Sequence, residues 1–185
     1  VDTQLKTLLE KPLTELQGWL ANRPELLTLS KQYSELAQAG TQRVLPGPTG
    51  ERNTWTLLPR ERVLCIADNE MDLLTQLAAV LAVGSEVLWT DAPLQRELAK
   101  SLPKAVTERL HFAKPDAVMN AFFDAVIYHG DSDQLRELCE LVAARDGAIV
   151  SVQGFARGET NLLLERLYHE RSLSVNTAAA GGNAS

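Results

Sequence analysis

Residues 62–90 read RVLCIADNEMDLLTQLAAVLAVGSEVLWT. The segment opens with a short apolar run, RVLCIAD. A helical stretch, EMDLLTQLAAVLAVG, follows and ends on Gly84, and a second short apolar run, EVLWT, closes the segment. Short apolar runs on either side of a helix-length segment are the pattern of strand, crossover helix and parallel strand, because parallel neighbours cannot be joined by a tight hairpin.

The alternation continues downstream. A helical stretch near Leu94–Leu102 precedes a weaker strand at LHFA (110–113) and another at AVIYHG (125–130). Next come a helix at DSDQLRELCELVAARDG (131–147), a strand at AIVSVQG (148–154), a helix at NLLLERLYHE (161–170) and a strand at SLSVN (172–176). The expected class is therefore α/β: a Rossmann-like open, mostly parallel sheet with flanking helices, over residues 62–176.

Upstream of it, Leu5, Leu8, Leu9, Leu13, Leu16 and Leu20 recur at helical spacing, and Leu26, Leu29, Tyr33 and Leu36 repeat the pattern. The spacing predicts an N-terminal helical pair over residues 1–43. Pro12 is expected to kink or restart the first helix, Pro24 to open the second and Gly40 to stop it. Residues 44–61 hold three prolines and two glycines in VLPGPTGERNTWTLLP and read as an irregular linker at a domain boundary. Residues 177–185, TAAAGGNAS, are a tail of small side chains that remove little apolar area from water.

At 185 residues, 45% hydrophobic and 23% charged, the chain has the composition of one moderate globular domain. Its longest apolar runs are too short to span a bilayer. A net charge of -6 argues against nucleic acid as a partner of this piece. Cys65, in a strand, and Cys139, in a helix, read as small core residues in a reducing, cytoplasmic setting. The chain starts Val1-Asp2 without a methionine or a signal pattern, as expected of a segment cut from something longer.

A doubly wound sheet raises the question of a nucleotide at its first strand-to-helix turn. Here that turn is ADNEMD: it lacks glycine and carries Asp68, Glu70 and Asp72 where phosphate would meet the helix N-terminus. GPTGERNT has the outline of a phosphate loop without the Gly-Lys-Ser/Thr ending, and reads as a proline-bearing turn. In HGDSD (129–133), His129, Asp131 and Asp133 suggest a divalent metal, but Asp131 followed by Gln134 suits a helix N-cap with a box-like partner better. His111 and His169 have no ligand set near them in sequence and read as surface or packing residues.

QLAAVLAVGSEVLWTDAP (76–93) resembles the nucleotide-binding domain of the aldehyde dehydrogenase superfamily. The family's Lys-Pro positions read Trp89 and Thr90 here, followed by Asp91; HGDSD replaces its glycine-rich turn, and its Gly-Gln-Cys nucleophile motif is missing. GPTGERNTWTLLPRERVLC (47–65) and LERLYHERSLSVNTAAAGGNAS (164–185) resemble more strongly the C-terminal region of long-form proline utilization A proteins.

That resemblance implies an aldehyde dehydrogenase-like domain without catalytic residues and without its own cofactor; FAD for proline oxidation and NAD for glutamate semialdehyde oxidation would sit in other modules of a cytoplasmic polypeptide. Those modules, above all the dehydrogenase one, are the implied partners. Peripheral membrane association and an N-terminal DNA-binding domain are expectations for the whole protein only. The implied lid over the passage between active sites comprises Arg171, Ser172, Leu173, Ser174, Val175, Asn176, Thr177, Ala178, Ala179, Ala180, Gly181, Gly182, Asn183, Ala184 and Ser185. Small side chains let backbone lie close against another surface, and Asn176 and Asn183 offer bonds to exposed backbone groups. Two rivals stand beside this reading: a residual NAD-binding or aldehyde dehydrogenase activity near Asp68–Asp72 or His129–Asp133, and self-association through leucine faces left exposed on the opening helices.

Overall fold

The computed structural model describes residues 3–176, with side chains described from residue 10. In chain order the elements are α1 (Thr3–Trp19), α2 (Pro24–Leu36), β1 (Gln42–Leu45), β2 (Glu51–Pro59), β3 (Arg62–Ile66), α3 (Glu70–Val83), β4 (Glu86–Thr90), α4 (Pro93–Ser101), α5 (Lys104–Thr107), β5 (Leu110–Ala113), β6 (Ala125–His129), α6 (Ser132–Ala143), β7 (Ser151–Phe155) and β8 (Tyr168–Asn176).

Five strands form one parallel sheet in the order β5-β4-β3-β6-β7, with Val63 set between Val87 and Ala125. The chain starts this sheet in its middle, winds outward through β4 and β5, then returns to the other side of β3. That doubly wound order creates a switch point between β3 and β6, at whose carboxyl ends α/β proteins bind ligands.

One face of the sheet, bearing Val63, Cys65, Val87, Trp89, Ala125 and Ile127, packs with α3 in a large core. The other face presents Leu64, Leu88, Val126 and Tyr128 to Leu138 and Val142 of α6. Helix α3 is apolar almost all round, as a helix covered on every side must be: Leu73 through Leu81 are all buried. Its second cover is the N-terminal pair, whose Leu13, Leu16, Leu20, Leu26 and Tyr33 belong to the same core. Of the leucine stripe that suggested self-association, Leu13, Leu16, Leu20, Leu26 and Tyr33 are thus inside the molecule, Leu29 is partly buried and Leu36 is exposed, while the side chains of Leu5, Leu8 and Leu9 lie outside the described residues.

Several expectations are corrected. Helix α1 runs unbroken through Pro12, because the buried leucines that follow hold it on the core. Helix α2 ends at Leu36, not at Gly40, which occupies a left-handed turn with φ of 74° before β1. Cys139 is exposed: α6 buries Leu138 and Val142, and Cys139 lies about 100° round the helix from Leu138. The strand expected at 148–154 begins at Ser151.

The larger correction concerns residues 44–61 and 161–170. The supposed linker is mostly strand: β1 and β2 form a hairpin whose prolines and glycines are gathered in the turn 46–50, with Pro59 at the end of β2. The supposed helix yields only a short 3-10 turn at Leu164–Leu167, after which β8 pairs residue for residue with β2, from Tyr168 opposite Pro59 to Asn176 opposite Glu51. Backbone pairing over nine residues, with Leu162, Leu164, Leu167 and Tyr168 all buried, outweighs the helical preference of the leucine run. The result is a three-stranded antiparallel sheet, β1-β2-β8, joined to the body by Arg60 N donating to Leu167 O (2.8 Å) and Gln38 N donating to the Tyr168 hydroxyl (2.8 Å).

Candidate functional site

The candidate site is the crevice at the carboxyl ends of β3 and β6. Helix α3 begins here, and its cap is Asn69, a residue the sequence reading passed over. The Asn69 side chain accepts from Asp72 N (2.9 Å) and donates to Asp72 Oδ2 (2.6 Å). Asp72 is buried at 1% exposure. Glu70 points away and pairs with Arg23. The three acids of ADNEMD therefore have different neighbours, and two of them, Asp68 and Asp72, face the crevice.

What they face is the loop that leaves β7. Arg157 donates to Asp68 Oδ2 from both Nε (2.8 Å) and Nη2 (2.5 Å), and these bonds hold the Asp68 carboxyl below the usual carboxylate range. Gly158 N donates to Asp72 Oδ1 (2.9 Å). Gly158 has φ of 78°, a conformation costly for any residue with a Cβ. Glu159 steadies the loop from within, its Oε1 accepting from Thr160 N and Asn161 N at 3.0 Å each. The Tyr33 hydroxyl of α2 donates to Thr160 O (2.5 Å), so the helical pair also grips the loop.

His129 forms the floor. It is 2% exposed, stacked on Phe155, with Nδ1 2.8 Å from Gln76 Nε2 and Nε2 2.9 Å from Glu159 O. Gln76 Nε2 also donates to Ile66 O (2.9 Å). Because the amide nitrogen can only donate and the carbonyl only accept, Nδ1 is the acceptor and Nε2 carries the proton. His129 is thus held apart from Asp131 and Asp133. Asp131 caps α6, accepting from Asp133 N (3.1 Å) and Gln134 N (2.9 Å), while the Gln134 side chain accepts from the Tyr128 hydroxyl instead of closing a capping box. Among the described residues no group of three His, Cys, Asp or Glu is placed to hold a metal ion.

A diphosphate seated at the α3 N-terminus would meet the Asp68 and Asp72 carboxylates, and the amide of Asp72 is already taken by the Asn69 cap. At the end of β4, Trp89 is fully buried in the core in an edge contact with Phe112, and the guanidinium of Arg96 is paired with Asp91 at 2.6 and 2.8 Å. His111 Nε2 donates to Glu86 Oε2 at 2.7 Å, beside Arg62 and Arg109, at the opposite end of the sheet. Burial raises the Glu86 carboxyl, but bonds from Arg62 and His111 outweigh it and leave it below its ordinary value. Burial pushes the Cys65 thiol well up, away from thiolate chemistry.

Of the residues implied as a lid, Arg171, Ser172, Leu173, Ser174, Val175 and Asn176 lie in β8 and are exposed; Thr177, Ala178, Ala179, Ala180, Gly181, Gly182, Asn183, Ala184 and Ser185 fall outside the described residues. The strand is fixed near its start by Trp55 Nε1 donating to Glu170 Oε2 (3.0 Å). His169 is exposed on the same strand. The acidic turn was singled out from sequence; Asn69, Gln76, Arg157 and Gly158 were not, and for the last two only their place after a sheet strand offered a signal.

No protein-family model matches the chain. It is 75% identical over all 185 residues to the bifunctional protein PutA of Escherichia coli K12, and 77% identical over 181 residues to that of Klebsiella aerogenes. The PutA of Rhizobium meliloti is 39% identical over 151 residues, 79% of the chain. The chain spans 14% of the length of the first two and 12% of the third. Among solved structures, a PutA from Bdellovibrio bacteriovorus inactivated by N-propargylglycine matches 82% of this chain and 21% of its own, at 12% identity and a TM-score of 0.59. A substrate-bound AldH of Staphylococcus aureus matches 80% of this chain and 41% of its own, at 10% identity and a TM-score of 0.56. These structural likenesses concern the fold.

Proposed function

Since the chain belongs to the family of bifunctional PutA proteins, of which it covers 14%, we propose that it is a non-catalytic module of an enzyme that oxidises proline and then glutamate semialdehyde. FAD and NAD act in the other modules of that cytoplasmic polypeptide. This module supplies packing surface to the dehydrogenase module and, through residues 171–185, closes the passage along which the intermediate moves between the two active sites.

One observation carries the non-catalytic reading: the crevice where the doubly wound sheet would seat a cofactor is faced by carboxylates that bond the chain's own Arg157 and Gly158. The lid reading draws support from β8, which holds the terminal segment in one extended line as far as Asn176 by pairing along the whole of β2. Net charge of -6 disfavours nucleic acid as a partner of this module. No helix among the described residues is long and apolar enough to cross a membrane.

Deleting residues 172–185 from the intact enzyme tests the lid. Proline oxidation is expected to persist while coupled NADH production slows and semialdehyde escapes to a carbonyl-trapping reagent. Coupled kinetics identical to the parent's would remove the lid from the account. Calorimetric titration of this chain with NAD tests the rest: saturable binding would restore the residual-dehydrogenase rival.

A further inference from the structure

We propose that residues Ala156–Thr160 are an internal strap that occupies the diphosphate seat of the sheet with the charge order reversed. In a dinucleotide-binding sheet the protein's first turn offers N–H groups and the occupant brings the negative charge. Here the turn brings the negative charge, on Asp68 and Asp72, and the occupant brings a guanidinium and an N–H, from Arg157 and Gly158. Both halves lie at the switch point, and the pairing is complementary where a diphosphate on this acidic turn would be repelled.

The strap is tied at three places that belong to three elements. Asp68 and Asp72 hold it to the start of α3, His129 holds Glu159 O to the end of β6, and Tyr33 holds Thr160 O to α2. Three successive amides in it and the one that follows are bonded: Gly158 to Asp72, Glu159 to Ala156 O, and Thr160 and Asn161 to the Glu159 carboxylate. Only the first of these leaves the strap. Among these amides, Gly158 N bonded to Asp72 is therefore the one whose exchange reads the latch to the crevice and not the folding of the loop on itself.

This deepens the non-catalytic reading and rests on it, yet its test reads local opening and not coupled turnover, so either can fail alone. Amide exchange is measured by mass spectrometry on the intact polypeptide, for peptides covering 150–165 and 70–84. In Asp72→Ala, exchange at residues 158–161 is expected to rise on the order of tenfold, since a buried bond to a charged acceptor is lost. Asp72→Asn keeps an acceptor oxygen for Gly158 N and is expected to fall between the two. Unchanged exchange in Asp72→Ala would overturn the proposal. If that variant also loosens residues 73–83, the exposed Arg157→Ala decides: faster exchange at Gly158 supports the latch, and unchanged exchange overturns it.

Discussion

Replacing His129 and Gln76 by leucine, singly and together, tests whether the floor of the crevice is a structural hydrogen-bond chain. The chain runs from Ile66 O through Gln76 and His129 to Glu159 O, and both side chains are at or below 2% exposure. His129→Leu removes the acceptor of one buried N–H and the donor to one buried carbonyl. At ~1–3 kcal/mol for each unmatched group, the loss is about 2–6 kcal/mol. Gln76→Leu strands Ile66 O and His129 Nδ1 but also deletes Gln76 Oε1, which has no hydrogen-bond partner. Its cost is accordingly smaller, about 1–3 kcal/mol. The Gln76–His129 bond is counted in both single variants, so the double variant is expected to fall short of their sum by ~1–2 kcal/mol. Urea denaturation of the four proteins, with equal m-values as the check on two-state behaviour, gives the numbers. Additivity within about 0.5 kcal/mol would refute a direct bond between the two and with it the assigned ring tautomer.

Three further outcomes follow from the same structure. Leu16→Ala, at a fully buried site under α3, is expected to cost ~3–5 kcal/mol, whereas Leu36→Ala, 65% exposed, should stay within about 0.5 kcal/mol; thermal melts of both variants check that the helical pair is core and not a free surface. Asp68 is held below its ordinary range by Arg157, so its contribution is present above the unfolded carboxylate range and is lost as pH falls through its folded value. The difference in urea midpoint between the parent and Asp68→Asn should therefore be present at pH 6 and shrink as acid is added below pH ~4. At Gly158 nothing lies within 4 Å of an added Cβ, so Gly158→Ala should cost only the left-handed backbone term, ~1–2 kcal/mol, in the same denaturation assay.

The parallel sheet was legible because its chemistry is local. RVLCI and EVLWT are apolar on both faces, as buried parallel strands must be, and the helix between them announces its end with Gly84. The antiparallel sheet was not legible, because ERNTWTLLP shows no clean alternation, most of its residues lie neither wholly in nor wholly out, and its partner strand is more than a hundred residues away. LLLERLYHE then misleads on local grounds: its leucines fit a helix, but Leu162 and Leu164 are buried two apart and the backbone turns into β8. At the crevice, the acids of ADNEMD could be read from sequence and their partners could not. Arg157 reaches Asp68 across 89 residues and Gly158 reaches Asp72 across 86, distances over which no spacing rule operates.

The nine-residue pairing of β2 with β8 also sets an order of events during synthesis. The bond from Trp55 to Glu170 closes a span of 115 residues, and every strand of the five-stranded sheet lies between its ends. A growing chain can therefore complete the parallel body while β2 still has only β1 beside it, and a lone two-stranded hairpin is marginal in water. The ribbon becomes stable only once residue 176 has left the ribosome. A message broken shortly before that point would yield a folded body with a loose hairpin, an unpaired edge that protein quality control is equipped to recognise.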